Sequence, residues 1–145
     1  MALERLRRLL PGVWLGWLLC VGLLATPAPF ALLEQAQAGR VVARMLAQEA
    51  YSALVLGVLV LLLERMAARR RPGAPAFGAG MLLALGTLFC TVAGYFALQP
   101  MMAAARAGQG PLGFGQLHAI STAFFVVKAG LVAALAWRAA ATPSS

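Results

Sequence analysis

The stretch that decides the fold runs from Phe114 to Trp137 and reads FGQLHAISTAFFVVKAGLVAALAW. It is long and mainly apolar, and Lys128 is its only charged residue. A helix that crosses the apolar core of a bilayer needs about 20 mainly apolar residues. Three further stretches of this kind precede it, at residues 9–30, 41–63 and 77–98. Because lipid cannot satisfy free backbone groups, all four stretches are predicted to be helices.

The composition agrees with a membrane protein. The chain has 145 residues, enough for one domain, and 62% of them are hydrophobic while 11% are charged. Soluble domains carry roughly 25% charged residues, and a small soluble domain has too little interior to hide so much apolar surface. The net charge of +8 comes from arginines that border the apolar stretches, where anionic lipids and topology explain them. We therefore expect an all-α four-transmembrane-helix bundle in the lipid bilayer, with no nucleic-acid partner.

The distribution of arginines predicts the orientation. Short loops on the cytoplasmic side carry the excess of Lys and Arg. One side carries Arg5, Arg7, Arg8, Arg65, Arg69, Arg70, Arg71 and Arg138, and the other carries Arg40, Arg44 and Arg106. Both termini are thus predicted to be cytoplasmic (N-in/C-in), in a multi-pass protein of the cell inner (plasma) membrane. Residues 1–8 form a basic cytoplasmic N-terminus, residues 9–138 the transmembrane domain and residues 139–145 a disordered cytoplasmic tail.

The first apolar stretch has an alternative interpretation. Three arginines followed by an apolar segment that ends in Ala25-Thr26-Pro27-Ala28 are also typical of a secretory signal peptide. Pro29 would hinder cleavage after Ala28, and the apolar segment is long for a signal. A mature chain that began after Ala28 would lack the first helix.

The two halves of the chain echo each other weakly. Leu19-Cys20-Val21 is followed by an Ala/Gly-containing loop and a returning helix, as is Phe89-Cys90-Thr91. Because both halves start on the same side, a duplication would produce parallel repeats. Sequences rich in Ala, Leu and Gly also produce such echoes by chance.

Several short motifs occur together in a characteristic order: Pro29-Phe30, Ala38–Arg44, Tyr51, Gln99-Pro100-Met101 and Leu117-His118-Ala119-Ile120-Ser121. Together they resemble the bacterial membrane family called domain of unknown function 4149, which is similar to transmembrane protein 205-like proteins. The resemblance covers about residues 14–137 and implies a four-helix membrane protein without an assigned activity. Relatives often carry an Asn seven residues after the His, where this chain has Phe125.

Polar residues predict a layer in the outer half of the membrane. With a rise of about 1.5 Å per residue, His118 lies roughly 5 Å and Glu49 roughly 8 Å inside the outer helix ends. One interpretation is a polar cavity with His118 and Glu49 as its working pair, since ionisable groups in membranes usually face the bundle or water. The other is that these side chains only hydrogen-bond helices together. The members of the layer are His118, Glu49, Ser121, Thr122, Tyr95, Tyr51 and Arg44, the last two sharing a face with Gln48.

A metal site is the most concrete form of such a layer. His118, Met101 and Met102 lie toward the same outer side, and imidazole and thioether groups suit Cu(I). No ligand spacing repeats, and methionines are common in apolar segments. Apart from this copper site, no cofactor is expected.

Lys128 is the one intramembrane charge with no obvious acidic residue at its depth. We expect it to extend toward an interface or to bond a backbone carbonyl, with a charge in a conduction path as the alternative. In the first case Lys128→Met leaves the protein as stable as before or more so.

No motif of an enzyme is present, and one histidine with four acidic residues leaves little for catalysis. Two functions from different classes remain. One is a transport or metal-tolerance role through the outer-leaflet polar layer, which would need a homo-oligomer because four helices are few for a transporter. The other is a non-catalytic accessory or assembly subunit that packs against a larger membrane complex.

Overall fold

Four long helices make up the protein in a computed structural model that describes residues 2–70, 72–73, 75 and 77–141. They are α1 (Ala2–Leu32), α2 (Gln35–Arg69), α3 (Ala79–Arg106) and α4 (Phe114–Ala141). All four are long and apolar enough to cross a membrane, which confirms the predicted four-helix membrane bundle. Each helix extends beyond the stretch predicted for it except at the start of α3, and α4 begins at Phe114 as expected. The predicted disordered tail starts with helical residues 139–141, whereas residues 142–145 and Arg71 lie outside the described residues.

The helices form a ring in which α1 and α3 each pack against both α2 and α4. Consequently α2 and α4 face each other across the diagonal. One end of the bundle, the termini end, brings together the start of α1, the end of α2, the start of α3 and the end of α4. The other end, the loop end, holds the Leu33–Glu34 turn and the 107–113 loop.

The main core lies in the middle of the ring. Trp14 and Leu18 of α1 are completely buried there, with Val132 of α4 and Ala84 of α3. Toward the loop end a separate small cluster joins α3 to α4 through Leu98, Met102 and Leu117. Helix α1 is therefore an integral part of the core, which favours a membrane-spanning α1 over a cleaved signal peptide.

Helices α1 and α3 each contain an internal π-helical segment. The segments are Cys20–Ala25 in α1 and Val92–Ala97 in α3, and each is followed by a helix that returns across the membrane. A glycine in each segment lies tightly against α4: a Cβ at Gly22 would meet Phe125, and one at Gly94 would meet Phe124. The order of elements thus repeats between the halves, as the sequence echo suggests for parallel repeats.

Candidate functional site

The centre of the bundle contains an ion pair that crosses the diagonal. Lys128 Nζ of α4 donates hydrogen bonds to both carboxylate oxygens of Glu49 on α2, at 2.7 and 2.9 Å. Glu49 is 3% and Lys128 4% exposed, so neither reaches solvent or lipid. Charges inside membrane helices are rare and mark functional sites by default, because an unpaired charge there is costly.

An aromatic ring of α4 and a cysteine of α3 lie near the pair. Lys128 Nζ lies 5.1 Å from the centre of the Phe125 ring, within the range of a cation–π interaction. Cys90 is buried on α3 within electrostatic range of Lys128. Thr87 and Thr91 are also buried on α3, but their hydroxyl groups donate to carbonyl oxygens of their own helix, at 2.7 and 2.9 Å. The pair is therefore held by mutual hydrogen bonds and an aromatic face.

Two sequence-based expectations about the pair are wrong. Lys128 neither extends toward an interface nor bonds a backbone carbonyl, since its ammonium group is bound to Glu49. Glu49 meets Lys128 rather than His118, because α2 begins at Gln35 instead of near Val41. Glu49 consequently lies about 21 Å from the loop end of its helix, at the level of the middle of α4. The proposed working pair of His118 and Glu49 is replaced by Glu49 and Lys128.

The positions of the two charges repeat along the chain. Glu49 and Lys128 are 79 residues apart, and so are Gln35 and Phe114, the first residues of α2 and α4. The ion pair therefore joins matching positions of the two halves. In a bundle of two parallel repeats, matching positions meet on an axis that runs along the membrane normal.

The other members of the predicted polar layer lie apart from the ion pair. His118 is exposed and stacks on Phe114, with ring centres 5.9 Å apart, while Arg106 covers the Phe114 ring at 4.5 Å. Thr122 is exposed and its hydroxyl donates to the backbone oxygen of His118 at 2.9 Å, so it does not orient the imidazole. His118 therefore belongs to the surface of α4 near the loop end.

Ser121 and the two tyrosines have packing contacts. The Ser121 hydroxyl donates to the carbonyl oxygen of Gly94 at 2.7 Å, in the π-helical segment of α3. Side chains of this kind satisfy backbone groups that irregular helices set free. Tyr95 and Tyr51 both pack edge-to-face on Phe96, at 5.1 and 5.3 Å between ring centres. Ser121 and Tyr51 therefore join α4 and α2 to α3, while Tyr95 contacts its neighbour in α3 itself, and none of the three contacts His118.

The methionines of the proposed copper site have different environments. Met102 is buried in the cluster with Leu98 and Leu117, whereas its neighbour Met101 is 41% exposed. Among the described residues, no group of three or more His, Cys, Asp or Glu side chains is arranged to hold a metal ion. A copper site would have to use His118 and exposed Met101 at the bundle surface.

Helix α2 carries a polar stripe on the side opposite the core. Its members recur every three or four residues and therefore share one face. The core-facing side of the same helix contains Ala38, Val42, Glu49 and Ala53, about half a turn away. We call the exposed set the α2 polar stripe, which comprises Gln37, Arg40, Arg44, Gln48 and Tyr51. The sequence showed that Arg44, Gln48 and Tyr51 share a face but not that this face is exposed, with Tyr51 at the edge where it also contacts Phe96 of α3.

A second charge cluster, at the termini end, has no counterpart in the sequence-based site. Arg7 Nη1 donates to Glu64 at 2.9 Å, joining α1 to α2, and Arg7 Nη2 donates to Glu4 at 2.7 Å. The side chain of Arg7 is only 13% exposed. The sequence analysis did not include the Glu4–Arg7 contact, although the spacing of one helical turn between the two residues is a signal that could have found it. The Glu64 contact depends on how α1 and α2 pack.

Comparison with known proteins identifies a family. A family model described as "Domain of unknown function (DUF4149)" matches residues 9–110, well over half of the chain. The match extends from α1 through α3 and includes Glu49, the α2 polar stripe and Cys90. No curated protein and no solved structure matches the chain.

Proposed function

The chain belongs to the family of the domain of unknown function 4149, and we propose that it is a non-catalytic membrane subunit that docks another membrane-spanning protein on its α2 polar stripe. The observation that carries this proposal is the exposure of Gln48. Gln48 is next to Glu49, so its Cα lies about 1.5 Å along the helix axis from that of Glu49, a member of the buried ion pair. Within the described part of the chain, the Gln48 amide makes no hydrogen bond.

An amide at this depth needs a partner. A polar group in the hydrocarbon core costs several kcal/mol when it is unsatisfied. The side chains of Arg40 and Arg44 are long enough to extend to lipid headgroups, whereas Gln48 is too deep and too short to do so. Tyr51, 62% exposed, lies on the same face one turn deeper. A neighbouring helix with a hydrogen-bonding residue near mid-membrane would satisfy both side chains.

The charge of the stripe indicates which partner fits. Arg40 and Arg44 are cationic, and the stripe contains no acidic residue. A second copy of this chain, docked through the same face, would place Arg44 against Arg44. We therefore commit to a different membrane-spanning chain, with a carboxylate facing Arg44 and a hydrogen-bonding residue facing Gln48. With the arginine-rich termini end in the cytoplasm, Arg44 lies in the outer leaflet of the inner membrane.

Transport or metal tolerance through the outer-leaflet layer is the second candidate. The observation in its favour is the Glu49–Lys128 pair near mid-membrane, where ion and proton pathways place charges. Between this pair and the termini end, however, the axis is filled by Trp14, Val60 and Val132. This candidate predicts that His118→Ala abolishes activity while membrane insertion and stability stay unchanged, because His118 is exposed.

Photo-cross-linking in the native membrane tests the docking proposal. A photoreactive amino acid at Gln48 should yield an adduct with one defined membrane protein. The same probe at Val127 is the control, since Val127 is 53% exposed beside Lys128 and should contact only lipid. Val55 is exposed on the same face of α2, one turn beyond Tyr51. A probe at Val55 should give the same adduct, and adding Gln48→Leu to that variant should lower the yield of the adduct.

Three outcomes are decisive. Docking is supported by a defined protein adduct that forms with the Val55 probe, decreases in Gln48→Leu and is absent with the Val127 probe. An adduct with a second copy of the chain would retain the docking role but overturn the choice of partner. If the probes at Gln48, Val55 and Val127 all yield only lipid adducts, the docking proposal is refuted, because the Val55 probe leaves the Gln48 amide in place.

A further inference from the structure

A cavity opens at the termini end of the bundle. Its volume is about 190 Å³, and all four helices contribute to its wall. Its deeper part is apolar and is lined by Pro11, Met81 and Leu135, of which Met81 and Leu135 are only 4% exposed. Leu135 also belongs to the main core together with Trp14, so the floor of the cavity adjoins that core. The cavity includes no member of the α2 polar stripe, so what it binds is independent of the docking proposal.

Trp14 carries a buried donor without an acceptor. Its side chain is completely buried, and its Nε1–H makes no hydrogen bond to any described residue. Trp17, on the next turn of α1, has the more usual arrangement, because its Nε1–H donates to Ser52 Oγ at 3.2 Å. Buried indole N–H groups are normally hydrogen-bonded, and an orphan indicates a bound group that the protein itself does not supply.

The indole of Trp14 lies on the cavity side of its level in the helix. Side chains of an α-helix lean toward the helix N-terminus, and the start of α1 is at the termini end. Trp14 follows Pro11 by three residues, so it lies on the same face and about 4.5 Å deeper along the axis. The lean of the side chain therefore brings the indole back to the level of Pro11, which lines the cavity.

The backbone of α1 provides an acceptor at the same level. Pro11 lies inside the helix and has no N–H, so the carbonyl oxygen of Arg7 lacks its usual helical donor. Arg7, Pro11 and Trp14 follow one another at intervals of four and three residues and therefore share one face of α1. Arg7 also lines the cavity. An N–H donor and a carbonyl acceptor of the same helix are thus placed beside Pro11 in the cavity floor.

We propose that the floor of this cavity binds a hydroxyl group, which accepts a hydrogen bond from Trp14 Nε1–H and donates one to the carbonyl oxygen of Arg7. A hydroxyl suits both groups because its single oxygen atom is donor and acceptor at once. A carboxylate or phosphate oxygen without a proton would leave the carbonyl unsatisfied, and an ammonium would leave the indole unsatisfied. The hydroxyl belongs either to an ordered water or to a short alcohol, whose alkyl part fits the apolar wall of Met81 and Leu135.

NMR spectroscopy of the full chain in detergent micelles identifies the bound group. The chain is labelled with ¹⁵N-tryptophan, and the Nε1–H signal of Trp14 is the one that disappears in Trp14→Phe. A bound water gives this proton a nuclear Overhauser cross-peak to water that persists when 1-butanol is added. A bound alcohol replaces that cross-peak with cross-peaks to the butyl protons. Either result supports the hydroxyl site, and the absence of both kinds of cross-peak overturns it.

A substitution at Pro11 tests the acceptor. Pro11→Ala restores a backbone N–H that bonds to the carbonyl oxygen of Arg7, so the hydroxyl loses one of its two partners and the cross-peak should weaken several-fold. Gly12→Ala is the control, since a Cβ at Gly12 meets open space. An unchanged cross-peak in Pro11→Ala, or an equal loss in Gly12→Ala, overturns the proposal.

An isosteric replacement of Trp14 tests the donor and also serves if Pro11→Ala does not fold. In 3-benzothienylalanine a sulfur atom takes the place of the indole N–H, while the shape of the ring system is retained. If the N–H binds a hydroxyl, this exchange lowers the thermal unfolding midpoint, because a hydrogen bond is lost and the hydroxyl is left without its donor. If the N–H has no partner, the exchange removes a buried unsatisfied group and leaves the midpoint unchanged or higher, and that result overturns the proposal.

Discussion

Removing Lys128 is expected to destabilise the protein, contrary to the expectation from sequence alone. Lys128→Met retains the length of the side chain but leaves Glu49 buried without its partner. Breaking a buried ion pair costs about 3–5 kcal/mol. The expected loss is therefore about 3–5 kcal/mol.

Titration with dodecyl sulfate in mild-detergent micelles measures these unfolding free energies. Val127→Met is the control, since Val127 is exposed beside Lys128 and should change little. The double variant Glu49→Leu/Lys128→Met removes both charges and should be about as stable as wild type or more so. If Lys128→Met alone unfolds like wild type at pH 7, the ion pair does not form and the reasoning is refuted.

Two further predictions test the packing and the topology. Gly94→Val should lower the unfolding midpoint by several degrees, because the valine side chain would displace Phe124. Gly12→Ala is the control and should leave the midpoint unchanged, since a Cβ at Gly12 meets open space. Equal midpoints for the two variants would contradict the close contact of α3 with α4. The topology is tested in a variant that lacks the two native cysteines. With a membrane-impermeant thiol reagent, Pro72→Cys should react only from the cytoplasmic side and Gln109→Cys only from outside. Labelling of both positions from one face would exclude four membrane crossings.

The sequence was sufficient for the helices but not for their partners. Apolar length alone predicts four spans, because lipid leaves the backbone no alternative to a helix. The depth of Glu49 was misjudged because α2 starts with polar turns before Val41, which hydropathy does not assign to the span. Its pairing with Lys128 depends on two helices that face each other across the diagonal, and spacing along one helix carries no such information.

The dispersal of the polar layer has a similar reason. Spacing correctly groups Arg44, Gln48 and Tyr51 on one face, but only packing determines that this face points away from the core. His118 and Ser121 lie within one turn of α4, yet His118 is exposed and Ser121 bonds to Gly94. That bond depends on a π-helical segment, for which the sequence contains no recognisable signal. Side chains at one predicted depth therefore do not form one site.

The ion pair has its clearest role in the arrangement of the two halves. If the halves had identical sequences, matching positions on α2 and α4 would place like residues together on the diagonal, so two acids or two bases would meet. This chain has Glu49 in one half and Lys128 in the other. The ion pair therefore forms only when the first half packs against the second half. A buried ion pair adds little stability over an apolar pair of similar volume, but a misaligned bundle would leave two unpaired charges. The pair is thus best understood as fixing the register of α2 against α4. It accounts for why single substitutions should be costly while removal of both charges should not.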